Sequence, residues 1–278
     1  MKKTFSKIFM LVVSLIVCVF LVTPAVSAGA FKLNIIPPAE PIKPGVEMRE
    51  IEGVHQLIPS IIDNMLPSLW ASQYTFIEVA EKPSWASVSF PDSAPITPPD
   101  GVEYELTGFV AVSNDAPAYE FGTVKLSITT GKFARTIVPW IPGLGNEFNM
   151  DQSFQIQAGF VPSLSATNPF AVHLLPDSYK NVSFFVTNTA NAKSMLEFSV
   201  QQSDIPDGWN VIPPGPCSVD VDEQVQVLAT VYAPEGNESV GEWVQIPLNI
   251  HMNSVAEPTD ASADYSVMIT AHCVSDEE

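Results

Sequence analysis

The side chains best suited to chemistry in this sequence are four histidines, His55, His173, His251 and His272, two cysteines beyond the N-terminal segment, Cys217 and Cys273, and two small groups of carboxylates. An enzyme site needs a nucleophile, a base and oxyanion donors, or a metal cluster, converging on one point. The histidines are scattered. If residues 242–252 and 264–274 form a hairpin centred near Pro258, His251 pairs close to Tyr265 and His272 sits opposite Val244, at opposite ends. No zinc site follows. His272 and Cys273 are adjacent, and adjacent strand residues point to opposite faces. The expectation is a chain with no catalytic residues, no metal and no cofactor.

Asp220, Asp222 and Glu223 have the oxygens for calcium, but calcium takes about 6–8 of them, and a solvated strand edge accounts for the group as it does for Asp260 and Asp264. Strand parity sets Cys217 in phase with Val219 and Val221, and Cys273 in phase with Val267, Ile269 and Ala271. Both then face a core. They form either a disulfide, which needs Cα atoms within about 7 Å, or two buried thiols. Asn181-Val182-Ser183 and Asn237-Glu238-Ser239 are glycosylation sequons with outward asparagines. Trp243 falls on a polar strand face with Gln245 and Asn249.

The elements that position these residues follow an address segment. Lys2, Lys3 and Lys7 precede the apolar run from Ile8 to Val22, and Ala25-Val26-Ser27-Ala28 supplies small residues for cleavage after Ala28. Residues 1–28 therefore read as a helical secretory signal peptide and the mature chain as extracellular or surface-held. If the segment stays uncleaved, it brings the chain to a membrane. The whole chain carries 12 basic and 31 acidic residues, a net charge of −19. Cleavage removes three lysines, leaving nine bases against 31 acids and a charge of −22. Such a surface repels nucleic acid.

Apolar residues beyond the signal alternate with polar ones, the period of a sheet with one buried face. Val124, Leu126 and Ile128 are one such run; Val244, Ile246, Leu248 and Ile250 are another. The punctuation around these runs is repeated. Trp85, Ala116-Pro117 and Gly122 in the first half correspond to Trp209, Ala233-Pro234 and Gly241 in the second. About seven short strands per half is the pattern of an immunoglobulin-like sandwich. The chain is expected to be all-β, with two such domains in tandem, 29–162 and 163–278. Pro247 interrupts a strand, which predicts a bulge or an edge position there.

Two connections in the first half depart from the polar norm. Residues 55–71 hold Met65, Leu66 and Trp70, with helical spacing between two prolines; Thr136 to Met150 holds Trp140, Ile141 and Leu144. Under immunoglobulin-like order they are the B–C and F–G loops and emerge at one end. They either bury one another or form an exposed apolar tip for a protein or bilayer surface.

The run Pro206-Asp207-Gly208-Trp209, followed by Val225 to Ala233-Pro234 and Gly241, resembles the alpha-galactosidase-associated (NPCBM-associated) immunoglobulin-like domains, which are related to CARDB-type adhesion modules. Asn188-Thr189-Ala190-Asn191 is similar to the polar turn that family places after its second strand. The mature chain resembles secreted archaeal surface proteins carrying such domains in tandem. The resemblance implies a scaffold without catalytic residues and, as the alternative to a structural or adhesive envelope module that binds through the apolar tip, a carbohydrate-binding accessory role, for which Trp243 with Gln245 and Asn249 is the candidate platform.

Overall fold

The computed structural model describes residues 30–45, 48–58, 73–91, 94–98, 100–130 and 148–275. The signal segment lies outside them, as do the helix expected between the two prolines and most of both apolar loops. Among the described residues no helix is long and apolar enough to cross a membrane. Contacts divide the chain into two units. The first takes the described residues up to Ile42, those from 48 to Ser113, and Phe121–Gln157. The second takes 43–45, Asn114–Glu120 and everything from Ala158 on.

The first unit contains β1 (Ala30–Ile36), β2 (Met48–Ile58), β3 (Gln73–Glu81), β4 (Ala86–Ser89), β5 (Ile96–Thr97), β6 (Glu103–Val112), β7 (Phe121–Thr130) and β8 (Phe148–Gln157). They build two sheets, ordered β1-β2-β6-β4 and β5-β3-β7-β8. The second unit contains β9 (Leu164–Ala166), β10 (Val172–Leu174), β11 (Tyr179–Asn188), β12 (Ser194–Ser199) and β13 (Asn210–Ile212). It continues with β14 (Cys217–Val219), β15 (Gln224–Tyr232), β16 (Trp243–Ser254) and β17 (Ser262–Cys273). Its sheets are β13-β15-β11-β9 and β10-β17-β16-β12-β14. Apart from β10, every strand of the second unit has a counterpart at the same place in the first, so the repeated punctuation marks a repeated immunoglobulin-like topology.

Alternate burial makes each strand. In β7 the inward residues Val124, Leu126 and Ile128 are fully buried while Thr123 and Lys125 face solvent. In β16 and β11 the inward sets are Val244, Ile246, Leu248, Ile250 and Met252, and Val182, Phe184 and Val186. These two strands belong to opposite sheets and contribute to one hydrophobic cluster, so the second core is the filling of a two-sheet sandwich. Val88, Val110 and Ile51 on one side, with Ile77 and Leu126 on the other, mark the corresponding layers of the first unit.

Several expectations change in detail. The second strand runs to Ile58 and so takes up residues 55–58, the start of the expected 55–71 connection. The β16–β17 register sets His272 opposite Trp243 and His251 opposite Asp264, one residue from the expected pairing, because the hairpin centres between Glu257 and Pro258. Val221 faces solvent, since β14 stops at Val219 and Asp222 takes φ +60° in the turn that follows. Pro247 sits in a regular ladder opposite Met268, where β12 has stopped pairing: β12 reaches only from Asn249 to Ser254. The prolyl nitrogen therefore lies on a locally one-sided strand, where no ladder partner is lost.

Cys217 and Cys273 are both free thiols. Both lie in one sheet, β10-β17-β16-β12-β14, with β16 and β12 between their strands. Cys217 is level with Leu196 and Met252, whereas Cys273 is at the far end of β17. Three strand spacings at about 4.8 Å already exceed the reach of a disulfide. Burial, followed by the Glu223 charge, raises the thiol of half-buried Cys217 above its usual range.

The repeated glycine has a different reason in each unit. A Cβ on Gly122 would lie 2.2 Å from Pro83 Cγ and 2.7 Å from Trp85 Cζ2. At Gly241 a Cβ would meet nothing within 4 Å, but φ is +87°. Gly122→Ala is expected to cost about 1–3 kcal/mol by overpacking, and Gly241→Ala about 1–2 kcal/mol by backbone strain. Asparagine separates the two causes in urea unfolding. It should recover part of the loss at position 241, where the left-handed region suits it, and deepen the loss at position 122. The reverse order would refute the assignment.

Candidate functional site

The outer face of the β10-β17-β16-β12-β14 sheet carries the most developed surface cluster among the described residues. Antiparallel pairing puts Trp243 beside His272, and parallel pairing of β10 with β17 puts His173 on the other side of His272. The indole and the His272 imidazole stack at 4.2 Å with 8° between their planes. His173 meets both edge-on, with centroids 5.8 Å from Trp243 and 5.3 Å from His272. The Nδ1 atoms of the two histidines are 3.1 Å apart, a hydrogen bond in which one ring donates and the other accepts.

Trp243 remains 57% exposed. One indole face is covered by His272, and on the other side β12 has already ended, so the second face is open to solvent. Gln245 lies next on the same face, about 7 Å along the strand, and is exposed. Asn249 shares the face but is six residues from Trp243, about 20 Å. Trp243 and Gln245 thus belong to one site; Asn249 reaches only a ligand several sugar rings long. Beyond it, His251 Nδ1 meets Asp264 Oδ1 at 2.7 Å.

The two histidines are what sequence reasoning missed. His173 and His272 are 99 positions apart, and β10 is three residues long and parallel to its partner. Period-two alternation marks Phe170 to Leu175 as extended but says nothing about its neighbour.

The acidic groups are accounted for by turn structure. Asp220 pairs with Lys193 at 2.9 Å and its backbone N–H donates to Glu223 Oε2. Asp260 Oδ2 accepts from the Tyr119 hydroxyl. Among the described residues no three metal-ligating side chains come together. Both sequon asparagines are exposed. Asn181 lies on β11 with its Oδ1 accepting from Thr230 Oγ1, and Asn237 opens a short 3-10 turn.

At the first unit's loop end, the strand ends flanking both apolar connections lie together. Thr75 pairs with Thr130. The Thr97 hydroxyl bonds both Thr75 Oγ1 and His55 Nδ1, linking the end of β2 to the start of β3 through a buried polar network. Met65, Leu66, Trp70, Trp140, Ile141 and Leu144 themselves lie outside the described residues.

No family model and no curated protein sequence matches the chain. Among solved structures, a protein of unknown function from Porphyromonas gingivalis W83 is similar at 11% identity and TM-score 0.32, covering 87% of this chain and 99% of that one. The chaperone–tip adhesion subunit complex of Csu pili from Acinetobacter baumannii is similar at 9% identity and TM-score 0.27, covering 86% and 99%. The sialic acid binding region of the Streptococcus sanguinis SK1 adhesin is similar at 8% identity and TM-score 0.27, covering 87% and 78%. The immunoglobulin-like assignment rests on the strand order of the chain itself.

Proposed function

We propose that this protein is a non-enzymatic, extracellular adhesive or structural module of the cell envelope that binds carbohydrate on the Trp243 face. Its parts are a signal peptide over 1–28 and two domains, 29–162 and 163–278. The supporting observation is the open indole face of Trp243, held upright by His272 and bordered by Gln245. A sugar's C–H face packs on such a ring while its hydroxyls need a nearby amide. The affiliation with alpha-galactosidase-associated domains and an archaeal envelope rests on the motif resemblance around Trp209.

Glycan-array screening of the mature chain, followed by calorimetry, tests the reading. Trp243→Ala is expected to weaken the best glycan at least tenfold, about 1.4 kcal/mol, and His272→Ala several-fold by letting the indole tilt. An array without a binder, or one whose binder ignores Trp243→Ala, sinks it.

A second reading places the adhesive surface on the apolar loops, with Met65, Leu66, Trp70, Trp140, Ile141 and Leu144 meeting a protein or bilayer. It is favoured by the shared end from which both loops spring. Vesicle flotation of the mature chain separates it from the first, since a sugar site does not float with lipid.

A further inference from the structure

The opposite sheet of the second unit, β13-β15-β11-β9, exposes aromatic and aliphatic side chains with polar ones between them. Strand parity sets Tyr179, Asn181, Ser183 and Phe185 outward on β11, while Val182 and Phe184 fill the core. Across the ladder Tyr179 faces Tyr232, Asn181 faces Thr230 and Ser183 faces Leu228. Ile212 adjoins Thr230 from β13. Tyr179 is 63% and Leu228 54% exposed, and the two tyrosine rings lie 5.4 Å apart.

Asn181 stands in the middle of it as the acceptor of the Asn181-Val182-Ser183 sequon. Thr230 donates to its Oδ1 at 3.0 Å, so the amide nitrogen is the atom that this contact does not engage. β9 pairs with β11 only at Val186 to Asn188, so the β11 backbone at Asn181 is paired in a ladder on one side only, to β15. At the second sequon the Ser239 side chain is buried and its hydroxyl donates to Cys273 Sγ at 3.5 Å. The two sites therefore differ in the one hydroxyl that the sequon requires.

We propose that Asn181 carries an N-linked glycan whose first sugar packs against Tyr179 and Tyr232. The donor is a polyprenyl-diphosphate-linked oligosaccharide. Asn181 Nδ2 bonds to C1 of its first sugar, the C1–O bond to the diphosphate breaks with its electron pair leaving on oxygen, and the amide gives up one proton. No redox change occurs. Tyr179 lies two residues before Asn181 on the same face, so an aromatic ring lies directly beside the attachment point. The glycan shields apolar surface and leaves the Trp243 face, on the other sheet, free. The inference shares with the proposed function only the export of the chain.

The test is peptide mass spectrometry of the full chain secreted from an N-glycosylating eukaryotic host, paired with thermal unfolding. The Asn181 peptide should carry a glycan. Ser183→Ala should remove it and lower the unfolding temperature by roughly 2–4 °C, yet leave unchanged the unglycosylated chain made in bacterial cytoplasm. In a Tyr179→Ala background, loss of the glycan should no longer shift the temperature. An unmodified Asn181 overturns the proposal, as does a glycan whose removal has no thermal effect. Glycan-array results bear only on Trp243, so failure there and failure here are distinguishable.

Discussion

Trp209→Ala is expected to remove about 3–5 kcal/mol from the stability of the second unit, a third or more of the total for most domains, which hold about 5–15 kcal/mol. Trp209 is 3% exposed and belongs to the second core. It follows Gly208, which takes φ +83°, and its backbone N–H donates to Pro206 O. The tight turn thereby aims the indole inward. The indole N–H reaches Glu242 Oε2 at 3.3 Å, beside the first residue of β16. Truncation therefore opens a cavity in the second core and releases the start of the strand that presents Trp243. Trp209→Phe keeps most of the ring volume and loses the hydrogen bond, so its cost should be nearer 1–2 kcal/mol. Chemical denaturation followed by far-UV circular dichroism measures both. Equal losses for Ala and Phe would show that the hydrogen bond, not the packing, holds the turn.

The repeat was legible at this level because its marks are local requirements, of packing at Trp85, Trp209 and Gly122 and of backbone at Gly241. Trp85 and Trp209 each precede the short strand that pairs with β6 or β15, and Gly122 and Gly241 each adjoin the start of the next long strand. Side-chain period fixes which residues are inside, as Val244 to Met252 show, because a strand has only two faces. It does not fix which strands are neighbours. Cys217 and Cys273 share a sheet, and His173 meets His272, through pairings between segments far apart in sequence. A one-residue shift in register was enough to exchange Val244 for Trp243 as the partner of His272. That shift separates an unremarkable histidine from one that backs the candidate platform. Asn249 illustrates the same limit in distance: parity puts it on the right face, and only the rise of the strand shows that it is too far for a single sugar.

The polar turn after β11 was legible as a turn, and its main structural role was not. Asn188 has no solvent exposure. Its Nδ2 donates to Ala192 O and Val219 O, both at 2.9 Å, and its Oδ1 accepts from Ala190 N–H at 3.0 Å. Its backbone is also tied, with N–H to Glu223 O and O from Asp222 N–H. One amide thus joins the turn to the end of β14. Asn188→Ala leaves three backbone groups without this partner, at about 1–3 kcal/mol for each one that water cannot reach, and an expected net loss of roughly 3–4 kcal/mol. Asn188→Asp is the sharper experiment because the shapes match. The carboxylate keeps the acceptor for Ala190 N–H, but its second oxygen faces the Ala192 and Val219 carbonyls where two donors are needed, and a buried charge is added. Aspartate should therefore destabilise the second unit more than alanine above about pH 6, with the gap narrowing in acid as the carboxyl takes up a proton and becomes a donor. The direction follows from linkage: an aspartate buried among carbonyls has its pKa raised above the unfolded value, so stability falls as pH rises through the unfolded pKa and levels off above the folded one. Urea midpoints for the two variants at pH 5 and pH 7.5 decide it. Alanine the worse of the two at pH 7.5 would mean that Oδ1, not Nδ2, is the anchoring atom.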